Sequence, residues 1–216
     1  MTGTSGAPRK RTRSTLGPDA PPARSRAGLL ADRDFVEVRL GGSGGQGVVL
    51  MGIILATAAN HDGRCVVQTE SYGPEARGGY SRSDVIIAGA PIDYPKLDNA
   101  DLLVALSQDS AQGYVKSLRR NGVLIYDSEI VKSPPPFTGT SIGLPFSLWA
   151  KEETGRIQAT NVVALGAVAR ITGVVSIQSI QEAVSEAVPA GTIEVNLKAL
   201  GRGLAVDPRE WQTDQD

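Results

Sequence analysis

From Phe35 onwards, short apolar runs alternate with polar segments at intervals that suit strands and helices in turn. "FVEVRL" (35–40) reads as a strand, residues 46–60 as a helix, and "RCVVQT" (64–69) as a second strand. The polar stretch "ESYGPEARGGYSRS" (70–83) predicts a long loop, followed by strands in "DVIIAG" (84–89) and "ADLLVALS" (100–107). Residues 109–120 suit a helix, and "GVLIYD" (122–127) a strand. Beyond a proline-rich loop at 133–136 comes a short strand over 140–144. From Asn161 to about Leu204 the pattern is mostly helical. Strands alternating with helices predict an α/β chain: a Rossmann-like three-layer fold, a mainly parallel sheet and a mostly helical C-terminal third. No internal repeat is visible.

The segment before this pattern is different in kind. Residues 1–33 are rich in Pro, Gly, Ser, Thr and Arg and offer almost nothing to a core, which predicts a disordered basic tail. Its prolines and its lack of amphipathic period favour a plain tail over a transit peptide. The folded domain is placed at 34–206, with 207–216 as a polar C-terminal tail.

Composition narrows the chemistry. The chain has 216 residues, 41% hydrophobic and 21% charged, enough for one well-packed domain. Net charge is −1 and aromatic content 5%, which disfavour a nucleic-acid partner. With one cysteine, Cys65, and one histidine, His61, the chain can form no internal disulfide and hold neither an iron–sulfur cluster nor an ordinary zinc site. No apolar run approaches the roughly 20 residues of a membrane span, and no signal-peptide core is present. The expectation is a soluble, cytoplasmic protein with no membrane partner.

Gly42, Ser43, Gly44, Gly45, Gln46 and Gly47 follow the first strand, and glycines 42, 44 and 47 fit G-x-G-x-x-G. A strand that turns through glycines into a helix leaves backbone N–H groups facing an incoming anion. A dinucleotide site is one reading, with Glu70, at the end of the second strand, placed where a ribose-binding carboxylate would lie. Tight packing of helix on sheet is the other. The second loop is the most distinctive stretch. Ser71, Tyr72, Gly73, Pro74, Glu75, Arg77, Gly78 and Gly79 combine a stiffening proline, permissive glycines and opposite charges. Arg77 is either half of a local ion pair on a solvated turn or a guanidinium presented to a carboxylate, a phosphate or a neighbouring subunit.

Four stretches in order, "GGSGGQG", "SYGPEARGG", "PKLDNADLLVALS" and "TNVVALGAVAR", resemble the gamma subunit, or gamma domain, of 2-oxoacid:ferredoxin oxidoreductases. The resemblance runs from about Val36 to Gly203 and leaves the N-terminal tail outside it. It implies a multi-subunit enzyme that oxidatively decarboxylates a 2-oxoacid with coenzyme A. The products are an acyl-CoA and CO2, and two electrons pass through iron–sulfur clusters to ferredoxin. It further implies that thiamine diphosphate, Mg2+ and the [4Fe–4S] clusters sit on alpha, beta and in some cases delta partners. The chain agrees, since it lacks both the cysteines and a G-D-G…N-N diphosphate motif. By the same analogy the two loops are its cofactor-binding surfaces, coenzyme A is the ligand they contact, and no residue of this chain is catalytic. Relatives handle pyruvate, 2-oxoglutarate, branched-chain and aryl 2-oxoacids; a separate small gamma chain leans towards 2-oxoglutarate.

Other residues have simpler readings. Asn161 caps the C-terminal helical region, His61 ends a helix where positive charge suits the dipole, Cys65 is a buried core residue, and Asp101 starts a strand. Two alternatives stand beside the enzyme-subunit reading: a stand-alone NAD- or FAD-binding Rossmann module, and a purely structural interaction subunit.

Overall fold

Strand β1 (Phe35–Ser43) shows how the sequence distributes itself between two faces. Alternate side chains point to opposite sides of a strand. Val36, Val38 and Leu40 therefore enter the main core, while Glu37 and Arg39 are buried on the other face. A computed structural model of the chain describes residues 28–72 and 80–207, without the side chains of Tyr72 and Tyr80.

Helix α1 (Val48–His61) follows β1 and leads to β2 (Cys65–Tyr72), β3 (Tyr80–Ala88) and β4 (Ala100–Ala105). After α2 (Gln108–Tyr114) and a 3-10 turn come β5 (Leu118–Asp127) and β6 (Thr140–Leu144). Helices α3 (Phe146–Thr154), α4 (Thr160–Thr172), α5 (Ile177–Ala187) and α6 (Ile193–Leu204) complete the chain. The strands form one sheet in the order β2-β3-β1-β4-β5-β6. Pairings β1–β4, β4–β5 and β5–β6 are parallel, and β3 is antiparallel to both its neighbours. Five strands thus run one way and β3 the other, so the expected mainly parallel α/β sheet is present with one reversed strand.

The two sheet faces are unequally covered. The main core joins one face to α1 and the C-terminal helices. Every residue of α4 except Arg170 is buried, as suits a helix that is apolar nearly all round. At the crossing of α4 and α6, a Cβ added to Gly166 or Gly203 would come within 3.0 Å of the other helix's backbone, so glycine sets how closely these helices approach. The opposite face carries α2 over a smaller apolar cluster that includes Leu103, Leu118 and Leu124.

Several boundaries differ from the sequence expectation. Both ends of the stretch 70–83 are strand: β2 runs to Tyr72 and β3 begins at Tyr80, with 73–79 between them. The helix expected over 109–120 ends at Tyr114, because Leu118 already begins β5, four residues before "GVLIYD". Residues 28–33, assigned to the tail by composition, pack on the end of α4. Leu29 and Leu30 donate backbone hydrogen bonds to Ile171 and Thr172, and Leu30 joins the core. Cys65, expected in the core, is only half-buried because β2 is an edge strand. Residues 1–27 and 208–216, which hold most of the two expected tails, lie outside the described residues.

Candidate functional site

Two of the expected loops meet at one edge of the sheet. β1 continues through Gly41 and Gly42 to Ser43, where its register pairs Gly42 with Ser81 and Ser43 with Tyr80. Ser71 and Tyr72 close the other side of the same ribbon, opposite Arg82 and Ser81. The glycine loop therefore lies against the base of the second loop. Gly73, Pro74, Glu75, Arg77, Gly78 and Gly79 fall outside the described residues. This edge is also the carboxyl end of β4, and β1 and β4 are neighbours whose onward connections diverge, the usual place for ligands in open α/β sheets.

Gln46 organises the glycine loop. Its side-chain oxygen accepts from the Ser43 N–H at 2.6 Å, and its amide nitrogen donates to the Leu106 carbonyl at 2.9 Å, so one side chain ties the loop to the end of β4. Gly45 and Gly47 have φ of 86° and 70°. Gly47 is the N-cap of α1, with no side chain capping the helix and no acidic residue in its first turn. Neither a side-chain cap nor an acidic residue of its own first turn offsets the positive end of α1. Around the tip, a Cβ added to Gly44 or Gly45 would meet nothing within 4 Å. At Gly44, neither backbone angle nor crowding among the described residues demands glycine.

Asn161 holds the loop from the far side. Its amide nitrogen donates to the Gly47 carbonyl at 3.3 Å, and its oxygen accepts from the Val162 N–H at 2.9 Å. The expected capping role changes in form: Ala159 is the N-cap of α4, and Asn161, the second helical residue, satisfies a single N–H while anchoring α1. Between these helix starts and the α5–α6 connection lies a cleft of about 190 Å³, to which Leu50, Arg156 and Asn161 contribute.

Glu70 does not serve the expected ribose-binding role. β3 intervenes between β1 and β2, so Glu70 sits on the exposed edge strand, two strand spacings (about 10 Å) from β1. A dinucleotide site of the Rossmann kind needs that strand beside β1.

The polar face of β1 carries charge pairs that sequence reasoning missed. Arg39 binds both oxygens of Asp84, at 2.8 and 2.9 Å, with the residues 5% and 4% exposed. Arg82 lies 3.4 Å from the same carboxylate, and both guanidinium groups approach the Tyr114 ring. Asp101 does start β4, but it is also a hub. Fully buried, it accepts from Arg33 at 2.6 Å, Arg119 at 2.8 Å and the Glu37 N–H at 2.9 Å, while Arg119 also pairs with the Glu37 carboxylate. Burial raises the pKa of Glu37 despite the opposing pull of Arg119. Asp127 is likewise raised by burial, against hydrogen bonds from Ser147 and Glu129. His61, at the end of α1, sits between Glu182 and Glu186 of α5 at 3.7 and 3.4 Å, a structural placement.

Among the described residues no three His, Cys, Asp or Glu side chains gather as a metal site, and no helix is long and apolar enough to cross a membrane.

The profile of the family described as pyruvate ferredoxin/flavodoxin oxidoreductase matches residues 37–206. The 2-oxoglutarate synthase subunit KorC of Methanocaldococcus jannaschii is 43% identical over 173 residues, covering 79% of this chain and 92% of the relative. The keto/oxoacid ferredoxin oxidoreductase gamma subunit of Geobacter sulfurreducens superposes with a TM-score of 0.73 at 41% identity, over 79% of this chain and 95% of that one. The fold also recurs, at 23% identity and a TM-score of 0.72, within the 2-oxoglutarate:ferredoxin oxidoreductase of Magnetococcus marinus, solved with 2-oxoglutarate, coenzyme A and succinyl-CoA bound. There it matches 82% of this chain but only 33% of the longer one. The chain belongs to the pyruvate ferredoxin/flavodoxin oxidoreductase family, as a gamma-type subunit of the 2-oxoacid:ferredoxin oxidoreductases.

Proposed function

We propose that this chain is the gamma subunit of an enzyme that converts a 2-oxoacid, coenzyme A and oxidised ferredoxin to an acyl-CoA, CO2 and reduced ferredoxin. In this reading the glycine loop receives an anionic phosphate of coenzyme A. The observation that carries it is Gly44: a bare backbone at an exposed loop tip, where nothing among the described residues requires glycine, beside the start of α1, which no side chain caps. A glycine there leaves room for a ligand to reach backbone N–H groups that any side chain would screen.

Thiamine diphosphate and the iron–sulfur clusters belong to partner subunits in this reading, and the donor set supports that. One half-buried cysteine on an edge strand cannot supply the four thiolates of a cluster. The work of this chain is to hold coenzyme A and present its thiol towards the partner. Gln46 and Asn161 keep the loop in position between β4 and α4. The 2-oxoacid is 2-oxoglutarate, supported by the 43% identity to a 2-oxoglutarate synthase subunit that is likewise a short separate chain.

The test is to purify the assembled enzyme through a tag on this chain and to measure ferredoxin reduction with a panel of 2-oxoacids. The expected outcome is coenzyme A-dependent activity with the highest kcat/KM for 2-oxoglutarate. Higher kcat/KM for pyruvate or a branched-chain acid would overturn the substrate assignment. A chain recovered without larger subunits would overturn the enzyme reading.

A further inference from the structure

Helix α1 stays apolar on the side where a surface helix turns polar. From Val48 to Asn60 it carries no charged residue. Val49, Ile53, Ala56 and Asn60 recur at i, i+4, i+7 and i+11, which lines them up along one side. Ile53 is 44% exposed, and Val49 and Ala56 are only half-buried. Each residue turns a helix by about 100°. The stripe therefore lies between Gly52, whose added Cβ would come 3.3 Å from the Gln68 amide of β2, and His61, which faces Glu182 and Glu186 of α5. Among the described residues nothing buries it.

The strand beneath is open on the same side. β2 is the outermost strand of the sheet and, among the described residues, pairs with β3 alone. Edge strands are commonly guarded by proline, lysine, a bulge or a covering segment. β2 contains neither proline nor lysine, and it pairs with β3 without a register shift. Its one charge is Glu70.

Such an edge can pair antiparallel with its own copy across a two-fold axis. Opposite residues of an antiparallel pair share a face, so an axis normal to the sheet passes through a residue rather than between two. Placed at Gln68, it pairs 65–71 with the same segment reversed and sets Glu70 opposite Val66, not opposite the other Glu70. The same rotation fits the helices. Gly52 lies over both Gln68 of β2 and Ser83 of β3, so α1 sits about half a strand spacing inside β2. With strands about 4.8 Å apart, the two α1 axes come about 10 Å apart, the spacing of packed helices. The strand spans about 26 Å, and two layers each about 10 Å deep give a footprint of about 500 Å² per copy. Two such footprints reach the roughly 1,000 Å² expected of a specific interface.

We propose that the outer edge of β2 and the 49–60 stripe of α1 form the contact between two copies of this chain. The sheet continues from β2 to β2, and α1 packs antiparallel on α1. The two glycine loops, at the starts of these helices, then lie at opposite ends of the pair, and each stays open to a larger subunit.

The test measures the mass of the full chain by light scattering and cross-links it in the assembled enzyme. Gln68→Cys brings two thiols together at the axis, where opposed Cα atoms lie about 4.5–5.5 Å apart, within disulfide reach. Cys65 and its counterpart end about 20 Å apart. Under mild oxidation we expect Gln68→Cys to give a covalent dimer of this chain and wild type to give none. Ile53→Glu, at an exposed position, sets like charges beside the axis. It should weaken dimerisation by about tenfold or more without lowering the unfolding midpoint. A monomeric wild-type chain with no Gln68→Cys dimer in the assembled enzyme would overturn the proposal. So would a Gln68→Cys cross-link to a larger subunit, which would give this face to that partner. A dimer that Ile53→Glu leaves intact and Gln68→Cys fails to trap would also overturn it.

Discussion

The side-chain amide of Asn161 donates to the backbone carbonyl of Gly47 at 3.3 Å, joining the starts of α1 and α4 across 114 residues of sequence. The same contact leaves no space for a side chain at position 47, where a Cβ would lie inside 3.0 Å of that amide. Gly47→Ala therefore meets both a left-handed backbone, costing about 1–2 kcal/mol, and a steric clash. Asn161→Ala loses one hydrogen bond, about 1 kcal/mol. Urea unfolding should show Gly47→Ala as the more destabilised variant. In the double variant the clash is relieved, so its loss should be smaller than the sum of the two single losses. Additive losses would mean that the two residues are independent.

The crossing of α4 and α6 gives a second prediction. Alanine at Gly166 or Gly203 drives a methyl group into backbone that cannot step aside. Overpacking of this kind costs typically about 1–3 kcal/mol. Either substitution should lower the thermal midpoint, and a neutral effect at both sites would contradict the close crossing.

The Arg39–Asp84 pair predicts an asymmetry. Arg39→Ala strands a buried carboxylate, and breaking one half of a buried pair costs about 3–5 kcal/mol. Arg82, 3.4 Å from the same oxygen, offsets part of that loss. Arg39→Ala should therefore fall towards the lower end of the range by denaturant unfolding, and adding Arg82→Ala should increase the loss. Replacing both Arg39 and Asp84 by apolar residues of similar volume should be milder than Arg39→Ala alone.

Asp127 predicts the sign of a pH effect. Burial raises its pKa above the ordinary 3.8, so the native state holds a proton at pH values where the unfolded chain has lost it. The stability this group contributes is fully present below 3.8 and is lost as pH rises through the raised value. Glu37 acts in the same direction, from an ordinary value of 4.5. Asp127→Asn removes one proton site while keeping an acceptor for the backbone. The unfolding free energy of wild type relative to this variant should increase as pH falls through that window. A difference that is constant or that decreases with acid would contradict the buried placement.

Much of the fold was legible because strand and helix periods were clean where burial is one-sided. β1, α1 and the end of β5 lie close to where their apolar runs place them. The polar ends of β2 and β3 were not legible, because Ser71, Ser81 and Ser83 give a strand no apolar alternation to display. Pairing was also hidden: nothing in "DVIIAG" states that it enters the sheet reversed between β1 and β2. That insertion is why Glu70 looked well placed by spacing and is not. "LRRN" at the start of β5 reads as helix end because Arg119 and Arg120 are charged and partly exposed. At the site, the glycine loop was visible as a motif, whereas the adjoining cleft was not. Leu50, Arg156, Val188 and Asn196 come from four separate segments that only the tertiary fold assembles.

The most direct test of the glycine loop as the coenzyme A contact is the KM for coenzyme A in the assembled enzyme carrying Gly44→Val. Among the described residues the substitution enters open space at an ordinary backbone angle, so the subunit should fold normally. The KM for coenzyme A should rise about tenfold or more, equivalent to about 1.4 kcal/mol of lost binding, with the KM for the 2-oxoacid unchanged. An unaltered KM for coenzyme A in a fully assembled complex would contradict it.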